Sequence, residues 1–341
     1  MKTKIRFPFS GIIVLLFVSS TLSAQNTNKA NYAFEQNKRL GRGVNIIGYD
    51  PLWKDSSKAR MKAKHFKLIK EAGFNNVRIV IAPFKFSMGD SAYTIKPDFF
   101  VTLDWAIKEA LKNKLMAIVD FHEHNAIAKD PMGNMPKILA MWKQIAEHCK
   151  GYSNDVMFEL CNEPNMKPET WNTIQSEAYK VVRKSNPNRT IIIGTINGNQ
   201  IKFLPDLKLL EEDRNIIVAI HYYSPIQFTH QGAPWSVRNK DLSGIEWTQS
   251  KAQEDSVKAD FDFAQQWSMK NKRPLTLGEF GAYEKADMAS RIKWTNYIAR
   301  QAEARNWSWS YWQFDSDFIL YDMSKDDWVE SIKQALIPAK K

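Results

Sequence analysis

The sequence has few of the residues that mark several common protein classes. Its 341 residues include only two cysteines, Cys149 and Cys161, which are too few for a disulfide scaffold. They do not form a CxxC pair either, so a cysteine-based structural zinc site is excluded. Glycine and proline number only 14 each, which excludes a collagen-like or low-complexity chain. Aromatic residues, in contrast, are plentiful, with 12 Trp, 11 Tyr and 19 Phe.

Long apolar runs are also scarce, and the one clear run lies near the start of the chain. Lys2, Lys4 and Arg6 precede the apolar residues 11–18, and small residues follow at 21–24. The run is too short for a transmembrane helix, and no later run reaches the required length. We therefore predict a signal peptide over residues 1–24 and a secreted or periplasmic protein. Residues 25–40 are predicted to be a loose N-terminal lead-in.

The chain is basic, but its charge is not arranged as in a nucleic-acid-binding protein. Removing the three cations of the signal peptide lowers the formal charge from +11 to +8. The lysines are scattered along predicted helices, with no motif that combines basic and aromatic residues. This pattern is typical of a solvated surface, although affinity for an acidic envelope or matrix stays open. We expect no nucleic-acid partner, no membrane span and a monomer.

The mature chain alternates between strand and helix patterns. The predicted strands are 42–48, 76–81, 115–122, 156–162, 190–196, 216–223, 275–281 and 308–314. The predicted helices are 58–72, 98–112, 136–150, 168–185, 203–212, 253–271, 288–306 and 327–336. Eight such units predict an α/β fold, a parallel sheet closed into a (β/α)8 TIM barrel. No linker interrupts residues 41–341, which we expect to form a single catalytic domain.

Catalytic residues of such barrels lie at the C-terminal ends of the strands, and here those ends carry two carboxylic acids, Glu163 and Glu279. The other strand-end residues are polar or aromatic: Asn45, Arg78, Asp120 to His124, Asn162, Thr195, Asn197, His221 to Tyr223, and Trp312. A pair of carboxyls across a cleft is what glycoside cleavage requires, one protonated and one ionised. Arg78, if close to Glu279, would favour the ionised form of that acid, whereas an aromatic wall would keep Glu163 protonated. His221 and Tyr223 share strand parity and are predicted to point together into the mouth.

Seven segments match glycoside hydrolase family 5, the retaining cellulases and mannanases. They read RGVNIIG, NNVRIVI, MAIVDFHEH, VMFELCNEPN, IVAIHYYSP, LTLGEFGAY and SWSYWQF, and they lie between residues 42 and 314. The resemblance implies that Glu163 is the acid/base, Glu279 the nucleophile and Asn162 the partner of the sugar 2-hydroxyl. It also implies that Arg78, His122, His221 and Tyr223 support them and that Trp312 lies under the sugar. No cofactor or metal is implied.

Some segments depart from the common pattern of the family. Residues 48–53 follow strand one and residues 227–235 follow strand six, and neither is a universal feature. They leave the usual activity, internal cleavage of β-1,4-glucan, less certain than the mechanism. Trp53 and Trp235 lie in these segments, where each could stack on substrate or pack within its loop. Cys161, before Asn162, affects no catalytic residue.

Alternatives remain open at this point. Within the same chemistry, the substrate could be β-mannan, xyloglucan or another branched glucan. In other classes, the chain could be a sugar-binding barrel without activity, or a zinc hydrolase using His122, His124, His221 and Asp120. Glu159 shares the parity of Glu163 and is predicted to be a buried partner of Arg78. Trp307, Trp309 and Tyr311 have the opposite parity to Trp312 and are predicted to face the helices, with Ser308 and Ser310 inside the barrel.

Two geometric expectations follow. A retaining enzyme needs the carboxyls of Glu163 and Glu279 about 5–5.5 Å apart. Asn162 and Glu163 are adjacent, so a regular strand would turn them to opposite faces. We therefore predict a bulge or a strong twist at this strand end.

Overall fold

Eight parallel strands close into a barrel in the order of the chain. The computed structural model describes residue 1 and residues 32–339. The barrel strands are β1 (Arg42–Ile46), β2 (Asn76–Ile81), β3 (Met116–Phe121), β4 (Val156–Glu159), β5 (Ile191–Gly194), β6 (Ile216–His221), β7 (Leu275–Glu279) and β8 (Ser308–Tyr311). Two short antiparallel strands, β9 (Tyr321–Asp322) and β10 (Asp327–Trp328), form a separate pair. The predicted TIM barrel is confirmed.

Helices lie between the strands and cover the outside of the barrel. The long helices are α1 (32–40), α2 (Ala63–Glu71), α3 (Pro97–Lys112), α5 (Pro131–Cys149), α6 (Pro168–Ser185), α9 (Lys251–Asn271), α10 (Met288–Glu303) and α11 (Glu330–Leu336). Three single turns, α4 (His124–Ile127), α7 (Ile196–Asn199) and α8 (Ile226–Thr229), follow β3, β5 and β6 on the mouth side. The 3₁₀ segments are Pro51–Trp53, Ser56–Lys58, Pro83–Phe86 and Ile201–Asp206.

The inward side chains of each strand change from apolar to polar towards its C-terminal end. On β3, Met116 and Ile118 belong to the apolar cluster inside the barrel, whereas Asp120 above them pairs with Arg78 of β2. His122 continues the same row into the mouth. Because alternate residues of a strand point the same way, this gradient places charge only where the functional groups lie. The same alternation turns Trp309 and Tyr311 outwards into the core, as predicted, and Ser308 and Ser310 inwards.

The N-terminal end of the barrel is closed by α1. Ala33 and Leu40 are fully buried and pack against the apolar cluster inside the barrel. Asn37 donates a hydrogen bond to the carbonyl of Leu275 and accepts one from the Ser308 hydroxyl. The prediction of a loose lead-in is therefore wrong for residues 32–40. An apolar residue every few positions within a polar stretch was the signal for an amphipathic helix.

The helix predicted over 58–72 begins only at Ala63, the one over 136–150 begins already at Pro131, and the one over 288–306 ends at Glu303. Two further predicted helices also differ from the structure. Residues 203–212 form no α-helix; the segment Ile201–Asp206 is a 3₁₀ helix that contains Pro205, which has no N–H to continue an α-helix. The last helix begins at Glu330 because Asp327 and Trp328 pair instead with β9. Seven of the eight strands are one to three residues shorter than predicted at their C-terminal ends, where the chain bends over the mouth, and β2 ends at Ile81 as predicted.

Cys149 and Cys161 are free and buried. The predicted signal peptide, apart from Met1, lies outside the described residues. Among the helices of the described part, none combines the length and the apolar character needed to cross a bilayer.

Candidate active site

A cavity of about 1120 Å³ opens at the C-terminal end of the barrel. Eight of the sequence-predicted site residues line it: His122, Asn162, Glu163, His221, Tyr223, Trp235, Glu279 and Trp312. The volume exceeds that of a typical small-molecule pocket and suits an oligosaccharide better than a single sugar. Asn45 and Arg78 lie beneath the cavity, fully buried.

Glu279 ends β7 and is held from two sides. Nη1 of Arg78 donates to its Oε1 at 2.7 Å, and the Tyr223 hydroxyl donates to its Oε2 at 3.0 Å. Burial raises the pKa of Glu279, and the adjacent His221 and Arg78 oppose that rise. The predicted proximity of Arg78 is confirmed, and its charge favours the ionised form that a nucleophile needs.

Arg78 links Glu279 to the polar layer below it. Its guanidinium donates to both oxygens of Glu159, at 2.6 and 2.9 Å, as predicted for a buried partner. It also donates to the amide oxygens of Asn45 and Asn162. Asn45 in turn donates to backbone carbonyls of β7 and β8, which fixes its amide orientation. A charge this deeply buried is stable only because every side of it has an acceptor.

Glu163 lies across the mouth from Glu279, and His221 stands between them. Nδ1 of His221 is 2.7 Å from Oε1 of Glu163 and 3.6 Å from Oε2 of Glu279. One carboxylate oxygen of Glu163 and one of Glu279 lie within 4.8 Å of each other. This spacing is compatible with the carboxyl separation of a retaining pair.

Asn162 and Glu163 both reach the mouth because β4 ends early. The strand stops at Glu159, and Glu163 adopts a left-handed backbone with φ of 43°. The predicted departure from regular alternation is therefore present, but as a bend after the strand. A separate bulge, which was not predicted, lies between β6 and β7, where Ile220 pairs with Leu277 and His221 pairs with Glu279. Gly278 is the extra residue, and a Cβ there would come within 2.9 Å of the His221 ring.

His122 is held by Asp120 and Asn162. Its Nδ1 lies 2.8 Å from the Asp120 carboxylate, and the Asn162 amide nitrogen is 3.3 Å from its Nε2. Burial lowers the pKa of His122 to about 4, so the ring is neutral near pH 7. Burial raises the pKa of Asp120 to about 7, with Arg78 opposing the rise.

The zinc set considered from sequence is not brought together. In the described part of the chain, the three residues whose ligand atoms converge are Glu163, His221 and Glu279, without His122 or His124. The Asn162 amide nitrogen instead contacts His124 at 3.1 Å. The histidine pair after β3 thus surrounds Asn162.

Aromatic rings form the cavity walls. Trp312 lies with its ring parallel to His122, with centroids 5.5 Å apart, and faces the cavity as predicted. Trp235 is 49% exposed at the rim, where it can meet a sugar ring. Trp53 does not reach the cavity; it stacks on Phe99 and donates to the Ile47 carbonyl. Of the two alternatives left open for Trp53, the structure therefore supports packing within its loop and not stacking on substrate.

Sequence reasoning missed several lining residues, among them Tyr49, Asn125, Gln200, His230, Asp317 and Phe318. They lie in loops or, for Asn125, in the short turn α4, where strand parity gives no orientation. His230 belongs to residues 227–235 after β6, and the departure of this segment from the family pattern was the one sequence signal that could have pointed to it. Asn199 was also missed, and its fully buried side chain contacts His221.

The comparisons with known proteins agree with this geometry. The family model described as Cellulase (glycosyl hydrolase family 5) matches residues 37–317. Endoglucanase H of Acetivibrio thermocellus is 32% identical over 321 residues, which is 90% of this chain and 34% of that protein. The chain thus spans about a third of the length of this relative and about half of Endoglucanase 3 of Fibrobacter succinogenes.

Solved structures resemble the whole barrel. The endoglucanase Cel5A of Thermotoga maritima has a TM-score of 0.85 and 41% identity, covering 89% of this chain and 99% of its own. It has been solved in complex with cellobiose and with mannotriose. The cellulose synthase subunit Z of Clostridioides difficile has a TM-score of 0.82 and 36% identity, and the match covers 87% of this chain and 99% of that chain.

Proposed function

Because the chain belongs to the cellulase family, glycosyl hydrolase family 5, we propose that it is a retaining endo-β-1,4-glucanase. The observation that carries the proposal is the pair Glu163 and Glu279, whose oxygens lie within 4.8 Å at the mouth of the barrel. Three of the relatives described above, Endoglucanase H, Endoglucanase 3 and Cel5A, are named endoglucanases, which supports the same activity.

In the first step Glu279 is the nucleophile. Its carboxylate attacks the anomeric carbon, while the proton of Glu163 passes to the departing glycosidic oxygen. The products are a covalent glycosyl–Glu279 ester and the released end of the glucan. Arg78 and Tyr223 hold Glu279 in place through its two oxygens.

In the second step Glu163 acts as a base. Its carboxylate takes a proton from water, the water oxygen attacks the anomeric carbon, and the bond to Glu279 breaks. Two inversions restore the β configuration. Asn162 is proposed to bind the sugar 2-hydroxyl, and Trp312 to lie under the ring beside the scissile bond.

The proposed backbone sugar is taken from the related enzymes. The β-1,4-glucan assignment follows a related structure, 35% identical, that is named as an endo-β-1,4-glucanase in complex with substrate. β-Mannan is the second candidate, because the related Thermotoga enzyme has been solved with mannotriose as well as cellobiose. Soluble or amorphous glucan is the substrate form proposed for the test.

The test is a screen of soluble β-glucans, mannan and xyloglucan with sizing of the products. We expect a rapid fall in glucan chain length, with activity unchanged in chelator. Release of single end units, or faster cleavage of mannan, would contradict the glucanase assignment. Loss of activity in chelator would restore the zinc alternative.

Trapping the intermediate tests the nucleophile. A 2-fluoro cellobioside with an activated leaving group should add one glycosyl unit to the peptide containing Glu279 in mass spectrometry. The Glu279→Gln variant is the matched control and should remain unlabelled. A label on another peptide would contradict the role of Glu279.

We also propose export and one catalytic domain. Residues 1–24 have the basic and apolar regions of a signal peptide, and residues 41–341 contain the barrel. N-terminal sequencing of the protein released from expressing cells should begin at Gln25.

A further inference from the structure

His221 lies between the two carboxyls, and the other side of its ring contacts a residue from the turn after β5. Its Nδ1 faces Glu163 and Glu279, whereas Nε2 faces the amide nitrogen of Asn199 at 3.1 Å. Asn199 is fully buried and belongs to the turn after β5.

The charges around His221 decide which ring nitrogen carries the proton. Two carboxyls face Nδ1, so a proton there donates towards negative charge. On the other side of the ring, Nε2 meets the amide nitrogen of Asn199, which is a donor, at 3.1 Å. Nδ1–H with a bare Nε2 is therefore the favoured neutral form, and the Asn199 amide supplies the donor that Nε2 then requires.

The backbone around Asn199 is built to bring its amide to this place. Asn197, Gly198 and Asn199 all have left-handed backbones, with φ of 51°, 82° and 51°. The Asn197 N–H donates to the carbonyl of Pro164, which ties the turn to the segment of Glu163. Gly194 leaves the necessary space, because a Cβ there would lie 2.2 Å from the Asn199 amide oxygen.

The amide oxygen of Asn199 has no hydrogen-bond partner within the described residues. The contact of this side chain with the site is therefore made by its amide nitrogen. Asn162 makes the same kind of contact with Nε2 of His122, whose Nδ1 also faces a carboxylate.

We infer that Asn199 is a positioning residue for the acid/base: it fixes His221 in the Nδ1–H form, which donates to the Glu163 carboxylate. This inference rests on the proposed function of Glu163. In the glycosylation step Glu163 becomes negative, and the Nδ1–H bond stabilises that charge. The ionisable groups around His221 are Glu159, Glu163, Glu279, Arg78, His122 and Tyr223.

The first test reads the ring directly by ¹⁵N NMR of histidine-labelled protein. In the unsubstituted protein, His221 should show a protonated Nδ1 and a bare Nε2 near pH 7. The His221→Gln variant identifies the signal. Asn199→Asp replaces the donor with an acceptor of the same size and should move the proton to Nε2. Asn199→Gly removes the donor and retains a residue suited to a left-handed backbone, so it covers the case in which the Asp variant fails to fold.

The second test reads the pH profile of kcat/KM on a cello-oligosaccharide. Without the Nδ1–H donor, the negative charge on Glu163 is less well stabilised, so the basic limb should move to higher pH in both Asn199 variants. Turnover of the oligosaccharide should fall about 10- to 100-fold, but that of an activated aryl cellobioside much less. Asn197→Gly, which changes the same turn without touching His221, is the matched control and should leave the limb in place.

An unchanged Nδ1–H signal or an unmoved basic limb in both Asn199 variants would overturn the inference. Failure of the unsubstituted protein to cleave any β-glucan or mannan would instead reject the proposed function. The NMR readout needs no substrate, so the two failures are distinguishable.

Discussion

At the scale of the residue, one buried cation organises the catalytic layer. Arg78 pairs with Asp120, Glu159 and Glu279, all with almost no exposed surface. Three carboxyls around one guanidinium cannot all be ionised at low cost. Burial accordingly raises the pKa of Glu159 and brings the pKa of Asp120 to about 7, whereas Glu279 also has His221 and Tyr223 beside it. Arg78 therefore favours one reactive carboxylate within a partly protonated cluster.

The proposed roles of Glu163 and Glu279 predict different chemical rescue. In Glu163→Ala, an activated aryl glycoside should still form the intermediate, because its leaving group needs no proton. Added azide should then speed turnover and give the β-glycosyl azide. In Glu279→Ala, azide replaces the nucleophile and should give the α product. The measurement is the anomeric configuration of the azide product by NMR, and the reverse pattern would exchange the two roles.

Most residues of the site were predictable because each lies at a strand end with fixed parity. Arg78, Glu159 and Glu279 follow from alternation along β2, β4 and β7, whereas Glu163 was placed at the mouth by its position just after β4. Trp53 and Asn199 were not predictable, because they lie in irregular segments whose side-chain directions depend on packing. The sequence predicted an aromatic wall beside Glu163, whereas the structure places His221 against its carboxylate. Glu163 also lies beyond the end of its strand, where side-chain contacts depend on packing.

At the scale of the element, α1 closes the end of the barrel opposite the mouth. Leu40→Ala should lower the free energy of unfolding by about 2–5 kcal/mol, since Leu40 is fully buried in the apolar cluster. The kcat/KM of the folded variant should not change, because the site lies at the other end. Urea titration and initial rates measure the two effects.

Phe34→Ala on the same helix is the control. Phe34 is 41% exposed, so its replacement should cost less than about 1 kcal/mol. Equal losses from both substitutions would contradict the specific packing of Leu40 beneath the barrel.

All eight strands were predictable from apolar runs, whereas some helices were not. Strand runs are buried on both faces and carry a strong local signal. The segment Ile201–Asp206 has apolar residues at helical spacing, but Pro205 and the approach to β6 prevent an α-helix. Trp328 is paired with Tyr321 in a hairpin, a contact that only the folded chain specifies. Helix α1 was not predicted, because its polar composition masks the few apolar residues that form its buried face.

At the scale of the whole molecule, two sets of buried groups make the free energy of unfolding depend on pH in opposite directions. Burial lowers the pKa of His122, His124, His221 and His230 to about 4 each. Burial raises the pKa of Asp120 and Glu123 to about 7 and that of Asp315 to about 6. The histidines lose stability as pH falls from about 6.5 towards 4, and the carboxyls lose stability as pH rises through 6–7.

Replacing one histidine should disturb this balance in a defined direction. Desolvation alone lowers the pKa of His230 to about 4, so its contribution is fully present above pH 6.5 and lost as pH falls towards 4. His230→Gln lacks that loss. As the pH is lowered from 7.5 to 4.5, the Tm of the variant should therefore rise relative to that of the unsubstituted protein. A difference in Tm that stays constant over this range would contradict the buried neutral state of His230.

The placement of α1 has a practical consequence for attaching this enzyme to a surface. Residues 32–40 lie across the closed end of the barrel, while the cavity opens at the other end. A resin, scaffold protein or carbohydrate-binding module fused through a short linker ahead of residue 32 would be joined to the face away from the cleft. Immobilisation by that route leaves the path of a long polymer into the cleft unobstructed, whereas coupling through loop residues of the rim would block it.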